Sequence, residues 1–187
     1  MTEHKGAFQG SPAWRSRAEG PAGTAGTSVA RVRAALAQHG LLVEILEFPA
    51  STRTAADAAR AVGTSVSQIV KSLVFVADGR PVLVLASGRN RVDVRKVAHL
   101  ARAARVEKAT AEAIRETTGF SIGGVPPLGH LTSLPVYLDE TLLAHTVVYA
   151  AAGNPHAVFA IAPPDLARIT RAVVGDVAED LRAPRPA

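Results

Sequence analysis

Three groups of residues have types and spacings that could do chemistry. The first is a lone lysine, Lys71, within Ile69-Val70-Lys71-Ser72-Leu73-Val74-Phe75-Val76. An ammonium in so apolar a run must either snorkel to the surface or meet an anion in a cleft. Set at the start of a central strand, with a glycine-rich loop elsewhere, it could help grip a phosphate and a carbonyl. The second group is Gly119-Phe120-Ser121-Ile122-Gly123-Gly124-Val125-Pro126-Pro127-Leu128-Gly129-His130, with four glycines and two prolines in twelve positions. Glycine admits close approach and positive φ, while proline fixes φ and removes a donor. The stretch therefore reads as a preorganised loop presenting N–H groups, although a surface loop rich in turn residues has the same composition. The third group is basic. Over residues 93–106, Val94, Val97, Ala101 and Ala104 form an apolar helical stripe, while Arg95, His99 and Arg102 share another face, flanked by Arg91, Lys96 and Arg105. Such faces are usually just solvated, but this one follows Ser87-Gly88-Arg89-Asn90 closely and makes a phosphate-contacting surface worth testing.

Other chemistries are excluded by context. Gly119-x-Ser121-x-Gly123 matches the nucleophile elbow of serine hydrolases, with Asp139 and then His145 or His156 in the matching chain order. An elbow needs a helix straight after the serine, and Gly124, Pro126, Pro127 and Gly129 forbid one. None of the six histidines has metal-ligand spacing or a carboxylate beside it in a ligand-like motif, so no metal is expected. There is no Walker loop and no dinucleotide fingerprint, and no cofactor is expected.

The elements that must position these groups follow from the rest of the chain. Its 187 residues suit one domain with a full core. With 48% hydrophobic but only 4% aromatic residues, that core must be aliphatic, and few rings remain to stack nucleic-acid bases. The absence of cysteine removes disulfides and thiolate chemistry and is compatible with a reducing cytoplasm. No run is apolar and long enough to span a membrane, and the first residues lead into no signal-peptide core, so a cytoplasmic protein is expected. A net charge of +5 favours a polyanionic partner. Residues 1–26, rich in Gly, Ala, Pro, Ser and Thr without periodicity, read as a disordered leader, and 179–187 as a flexible tail around a domain at 27–178.

Within that domain Ser28 can cap a helix that Gly40 stops, and residues 41–48 read as a strand ended by Pro49. Thr54 with Asp57 forms a capping-box pattern for a second helix ended by Gly63, and Ser65 with Gln68 repeats it for a short turn. Residues 70–77 and 81–86 flank Asp78-Gly79-Arg80, which predicts a hairpin, central because both arms are nearly continuous apolar runs. A short helix from Thr110, strands at 135–138, 146–150 and 157–161, and a helix opened by Pro163-Pro164-Asp165 complete the pattern.

Taken in order, Gln68-Ile69-Val70-Lys71-Ser72-Leu73-Val74-Phe75, Val84-Leu85-Ala86-Ser87-Gly88, the glycine–proline loop and Ala151-Ala152-Gly153 resemble the YbaK/ProX family over residues 28–177. Those proteins are similar to the insertion domain of bacterial prolyl-tRNA synthetases. The resemblance implies an α+β fold with a mixed, partly barrel-like β-sheet and flanking helices. It implies a free-standing enzyme that deacylates mischarged aminoacyl-tRNA, with the tRNA 3′ end as partner. By position, Lys71 matches the lysine that engages the terminal adenosine and its phosphate. Gly123 and Pro127 match the ends of a Gly-x-x-x-Pro loop that shapes the aminoacyl pocket and orients water or a ribose hydroxyl, with Gly124 inside it. Gly129 and His130 match residues that close the pocket. Ser72, Ser87, Gly88 and Gly153 are the substrate-binding candidates; Ser72 stands where some alanine-editing relatives carry asparagine, which leaves the aminoacyl specificity open. Arg91, Arg95, Lys96 and Arg102 are the tRNA-contact candidates. A non-catalytic module holding aminoacyl-tRNA or a nucleotide in the same cleft is the alternative, and no motif names the tRNA or the oligomeric state.

Overall fold

The structure is a computed structural model that describes residues 24–180, with side chains from Thr27. Its centre is the expected hairpin. β2 (Ile69–Ala77) and β3 (Arg80–Ser87) pair antiparallel without a break from Val70↔Ser87 to Ala77↔Arg80. Asp78 and Gly79 turn the chain with φ of 47° and 80°, the left-handed pair that matches the twist of the flanking strands.

The remaining strands are β1 (Ile45–Glu47), β4 (Val106–Lys108), β5 (Val136–Asp139), β6 (Val148–Ala151), β7 (Ala157–Ile161) and β8 (Val173–Gly175). They form one eight-stranded sheet in the order β1-β7-β6-β2-β3-β5-β8, with β4 attached separately to β2. The pairs of β2 with β6, β3 with β5 and β5 with β8 are parallel and the others antiparallel, so the sheet is mixed. Among the described residues five α-helices accompany it: α1 (Thr24–Gln38), α2 (Ala55–Val62), α3 (Val94–Ala101), α4 (Ala111–Thr118) and α5 (Pro163–Thr170). This is the α+β class that the motifs imply.

Side chains alternate along the hairpin, and each face has its own core. Val70, Val74, Leu83 and Leu85 pack with Val32 and Leu36 of α1 and Leu166 of α5. Phe75, Ala77, Val82, Val84 and Ala86 pack with Val97 of α3 and Tyr137. A central hairpin covered on both sides accounts for its lack of polar alternation, and each fully buried leucine contributes roughly 1.5–3 kcal/mol. No helix among the described residues is long and apolar enough to cross a membrane.

One irregularity of the sheet matters for everything below. On the edge away from β3, Ile69 and Val70 pair with Tyr149 and Ala150 of β6, whereas Phe75, Val76 and Ala77 pair with Lys108, Glu107 and Val106 of β4. The sheet therefore forks at β2. Lys71 to Val74 have no strand partner on that edge among the described residues, apart from a bond at its end in which the Ala109 N–H donates to the Val74 carbonyl at 3.2 Å.

Helix caps match their sequence signals. The Asp57 N–H donates to Thr54 Oγ1 at 3.0 Å and Gly63 ends α2 with φ 72°, while Thr110 accepts from Ala113 at the start of α4. Other boundaries differ, each for a tertiary reason. α1 begins at Thr24, so Ser28 lies inside it, and its carbonyl packs on Gly153. α3 stops at Ala101, short of residue 106, because the Asp78 carboxylate takes the Ala104 and Arg105 N–H groups at 2.9 Å and turns the chain into β4. Of the expected strand at 41–48, Ile45–Glu47 pair with β7 and the Phe48 N–H donates to the His156 carbonyl at 2.8 Å, while Leu42 is left exposed. At the far end Glu179 donates its N–H to the Arg91 carbonyl at 2.8 Å, so residues 179 and 180 belong to the fold. The rest of the expected leader and tail, 1–23 and 181–187, lies outside the described residues.

Candidate active site

The fork opens onto a cavity of about 1310 Å³. Lys71, Ser72, Leu73 and Val74, the unpaired segment of β2, form part of its wall. The cavity draws on both faces of the sheet: Arg91, Asp93 and Arg95 at the entry to α3, with Glu179 and Asp180, lie on one side, and Ile114, Ile122, Gly123, Val125 and Val158 on the other. The wall mixes charged and aliphatic residues, with the Arg53 side chain against Gly123, and suits a ligand with a charged part and a small apolar part.

Strand alternation sends Lys71 and Ser72 to opposite faces. The Lys71 ammonium is half-buried and donates to the backbone carbonyl of Asn90. Burial pushes its pKa below the ordinary lysine value of 10.5; the Asp139 carboxylate pulls it back up and the Arg91 guanidinium pushes it further down. Ser72 Oγ is buried and has no hydrogen-bond partner. An unsatisfied buried hydroxyl costs about 1–3 kcal/mol, a cost that a polar ligand atom in the cavity would relieve.

The glycine–proline loop meets the cavity at one end only. Gly123, with φ 91°, lies on the wall beside Ile122 and Val125. Gly124 is buried behind it, where a Cβ would stand 2.6 Å from Asn154 Cα; only glycine lets the loop touch the β6–β7 turn. Pro127 is buried, and Gly129, with φ 81°, faces Ala35 of α1. His130 Nε2 lies 2.8 Å from the Pro126 carbonyl and its ring meets Phe120 edge-on, with burial pushing its pKa below the ordinary histidine value. Arg31 of α1 stacks over the Phe120 ring at 3.9 Å and donates to the Thr118 and Gly119 carbonyls. The structure thus sets Gly124, Pro127, Gly129 and His130 behind the wall, as a clamp on the loop, instead of at the mouth of the pocket.

The other expected site residues divide in the same way. Ser87 Oγ donates to the Ser67 carbonyl at 2.9 Å, Gly88 lies against the Val66 carbonyl, and Gly153, with φ 100°, lies against α1; these are joints between elements and none is on the wall. Of the basic residues, Arg91 and Arg95 are on the wall. Arg95 pairs with Asp93 at 3.0 Å, Lys96 is held by Asp176 at 2.6 Å and Asp180 at 2.8 Å, and Arg102 ends α3 in the left-handed conformation. Two of these four basic residues, Arg95 and Lys96, are therefore already paired with carboxylates. Ser121 is exposed and a turn, not a helix, follows it. Asp139 is fully buried and bound to Ser87, Asn90 and Thr141, so no serine–histidine–aspartate relay runs through it.

Asn90 and Asp139 are the residues that sequence reasoning did not place at the site. Asp139 ends an otherwise apolar buried strand, Val136–Asp139, and a carboxylate there is the signal that could have found it.

Residues 49–169 match the family model described as the aminoacyl-tRNA editing domain, and the chain belongs to that family. It is 30% identical over 155 residues to the uncharacterized protein YwhH of Bacillus subtilis, covering 82% of this chain and 98% of that one. It is 26% identical over 143 residues to EbsC of Enterococcus faecalis, a protein described as a candidate Cys-tRNA(Pro)/Cys-tRNA(Cys) deacylase, covering 75% of this chain and 87% of that one. A solved structure described as a candidate trans-editing enzyme for prolyl tRNA synthetase superposes with a TM-score of 0.78 at 50% identity, covering 82% and 98% of the two chains.

Proposed function

We propose that this protein is a cytoplasmic trans-editing hydrolase that removes a small amino acid from a mischarged tRNA. The observation that carries this reading is the half-buried Lys71 ammonium on the wall of the cavity that Gly123 also lines. An aminoacyl ester is already activated, so positioning and charge stabilisation suffice without a side-chain nucleophile. Lys71 meets the phosphate of the terminal nucleotide at the 3′ acceptor end, and the aliphatic residues of the wall take the amino-acid side chain. Water, oriented by the loop backbone or by the ribose hydroxyl, adds to the carbonyl carbon. The ester C–O bond then breaks, the ribose oxygen leaves with one of the water's protons, and the amino acid leaves as its carboxylate while the other proton passes to solvent. A second, size-selective site is what synthetases need, because one methylene is worth only about 1–3 kcal/mol of discrimination in a single pocket.

The test is deacylation of tRNAs charged with Ala, Ser, Thr, Cys and Pro by wild type and Lys71→Ala. Turnover of one or two esters, lost in the variant, is the expected result and names the substrate. Salt-sensitive tRNA binding with no turnover of any ester would overturn it in favour of a binding module.

A further inference from the structure

Lys71 does not hold its place by itself. Its ammonium donates to the carbonyl of Asn90, in the segment joining β3 to α3, and the Asn90 side chain is held by Asp139. Asp139 Oδ2 accepts from Asn90 Nδ2 at 2.9 Å and from the Ser87 N–H at 3.1 Å. Its other oxygen accepts from the Thr141 N–H at 3.0 Å and the Thr141 hydroxyl at 2.7 Å, and Thr141 Oγ1 in turn accepts from Asn90 Nδ2 at 2.9 Å. The Asn90 N–H also donates to the Ser87 carbonyl at 3.0 Å, which closes the turn. A fully buried carboxylate needs such a shell of donors, and none of them carries a charge.

We propose that Asp139 is a positioning residue for Lys71: through Asn90 it fixes the carbonyl that receives the ammonium, and its carboxylate is the buried counter-charge of that ammonium. This rests on the reading of Lys71 as the group that meets the substrate. A purely structural Asp139 would hold the turn and leave the protonation of Lys71 untouched. The charges that bear on Lys71 are Asp139 from β5 and Arg91 from the turn itself; Arg53, Asp93, Arg95, Lys108, Glu179 and Asp180 line the same cavity and are kept in every variant below.

The decisive experiment is an NMR titration of the Lys71 side chain, assigned with Lys71→Arg, in wild type and Asp139→Asn. Removing an opposite charge disfavours the ammonium, so Lys71 should deprotonate about one pH unit lower or more in the variant. Deacylation by the variant should fall about tenfold or more. An unchanged Lys71 titration in a folded Asp139→Asn protein overturns the proposal. Should that variant not fold, Asn90→Ala keeps both the carbonyl and the carboxylate and cuts only their link. A shifted Lys71 side-chain resonance with reduced turnover is then expected, and an unshifted resonance overturns the proposal. Because the titration needs no substrate, failure of wild type to hydrolyse any ester would count against the deacylase reading and leave this inference to be decided on its own.

Discussion

β2 has one finished edge and one open edge. Along the first, every residue from Val70 to Ala77 faces a partner in β3. Along the second, β6 and β4 each take a few residues and leave Lys71 to Val74 between them. Continuous pairing satisfies backbone groups and joins two cores, whereas interrupted pairing leaves a strand segment whose side chains meet a ligand on either face. The closed edge is what makes the open one usable, since a fork in an isolated ribbon would simply fray. Stability and function are thus assigned to opposite sides of one strand, and substitutions should separate them.

The largest effect should come from the closed edge. Leu85 is fully buried opposite Ser72, and Leu85→Ala should cost about 2–5 kcal/mol in denaturant unfolding; a loss below about 1 kcal/mol would show that the hairpin is not the centre of the fold. On the open edge the effect should be reversed in kind. Lys71→Ala should leave the unfolding midpoint nearly unchanged and lower deacylation by about 10²-fold or more. Burial already lowers the pKa of Lys71, and the ammonium is the active form. The wild-type rate should therefore fall as pH rises through a value below 10.5, and a rate flat to that pH would contradict the assignment. Gly124→Ala tests the support between the two. Its Cβ would overlap backbone of Asn154, so roughly 1–3 kcal/mol should be lost, and turnover should drop as Gly123 moves off the wall. Loss of stability with full turnover would mean that the loop backbone takes no part in the reaction.

The closed edge was legible in the sequence and the open one was not. Asp78-Gly79 between apolar runs is a local signal, as are the Thr54 and Thr110 caps, and each reads correctly because neighbours in sequence decide it. Lys71 stood out because a charge in an apolar strand is conspicuous. The strand expected at 146–150 is β6, but β4, of three residues, is too short for a periodic pattern to announce it, and no local signal says that both strands share one edge of β2. The resemblance makes Gly129 and His130 residues that close the pocket, whereas their contacts, with α1 for Gly129 and with Phe120 and the Pro126 carbonyl for His130, depend on how the loop packs and could not be read locally. The basic helix misleads for the same reason: Lys96 meets carboxylates 80 and 84 positions away.

That last difference yields the smallest and sharpest prediction. Arg91 and Lys96 are five positions apart and equally cationic in sequence, but Arg91 lies on the cavity wall without an ion-pair partner among the described residues, whereas Lys96 already lies between Asp176 and Asp180. A phosphate approaching Lys96 would have to displace two bound carboxylates, while one approaching Arg91 would displace none. Each phosphate contact contributes about 0.7 to the slope of log affinity against log salt for single-stranded nucleic acid such as an acceptor end. Arg91→Ala should therefore reduce that slope by close to one contact, measured by tRNA binding over a salt series, and Lys96→Ala should leave it unchanged. An equal reduction in both would mean that the ion pairs open on binding and that the helix face joins the tRNA surface after all.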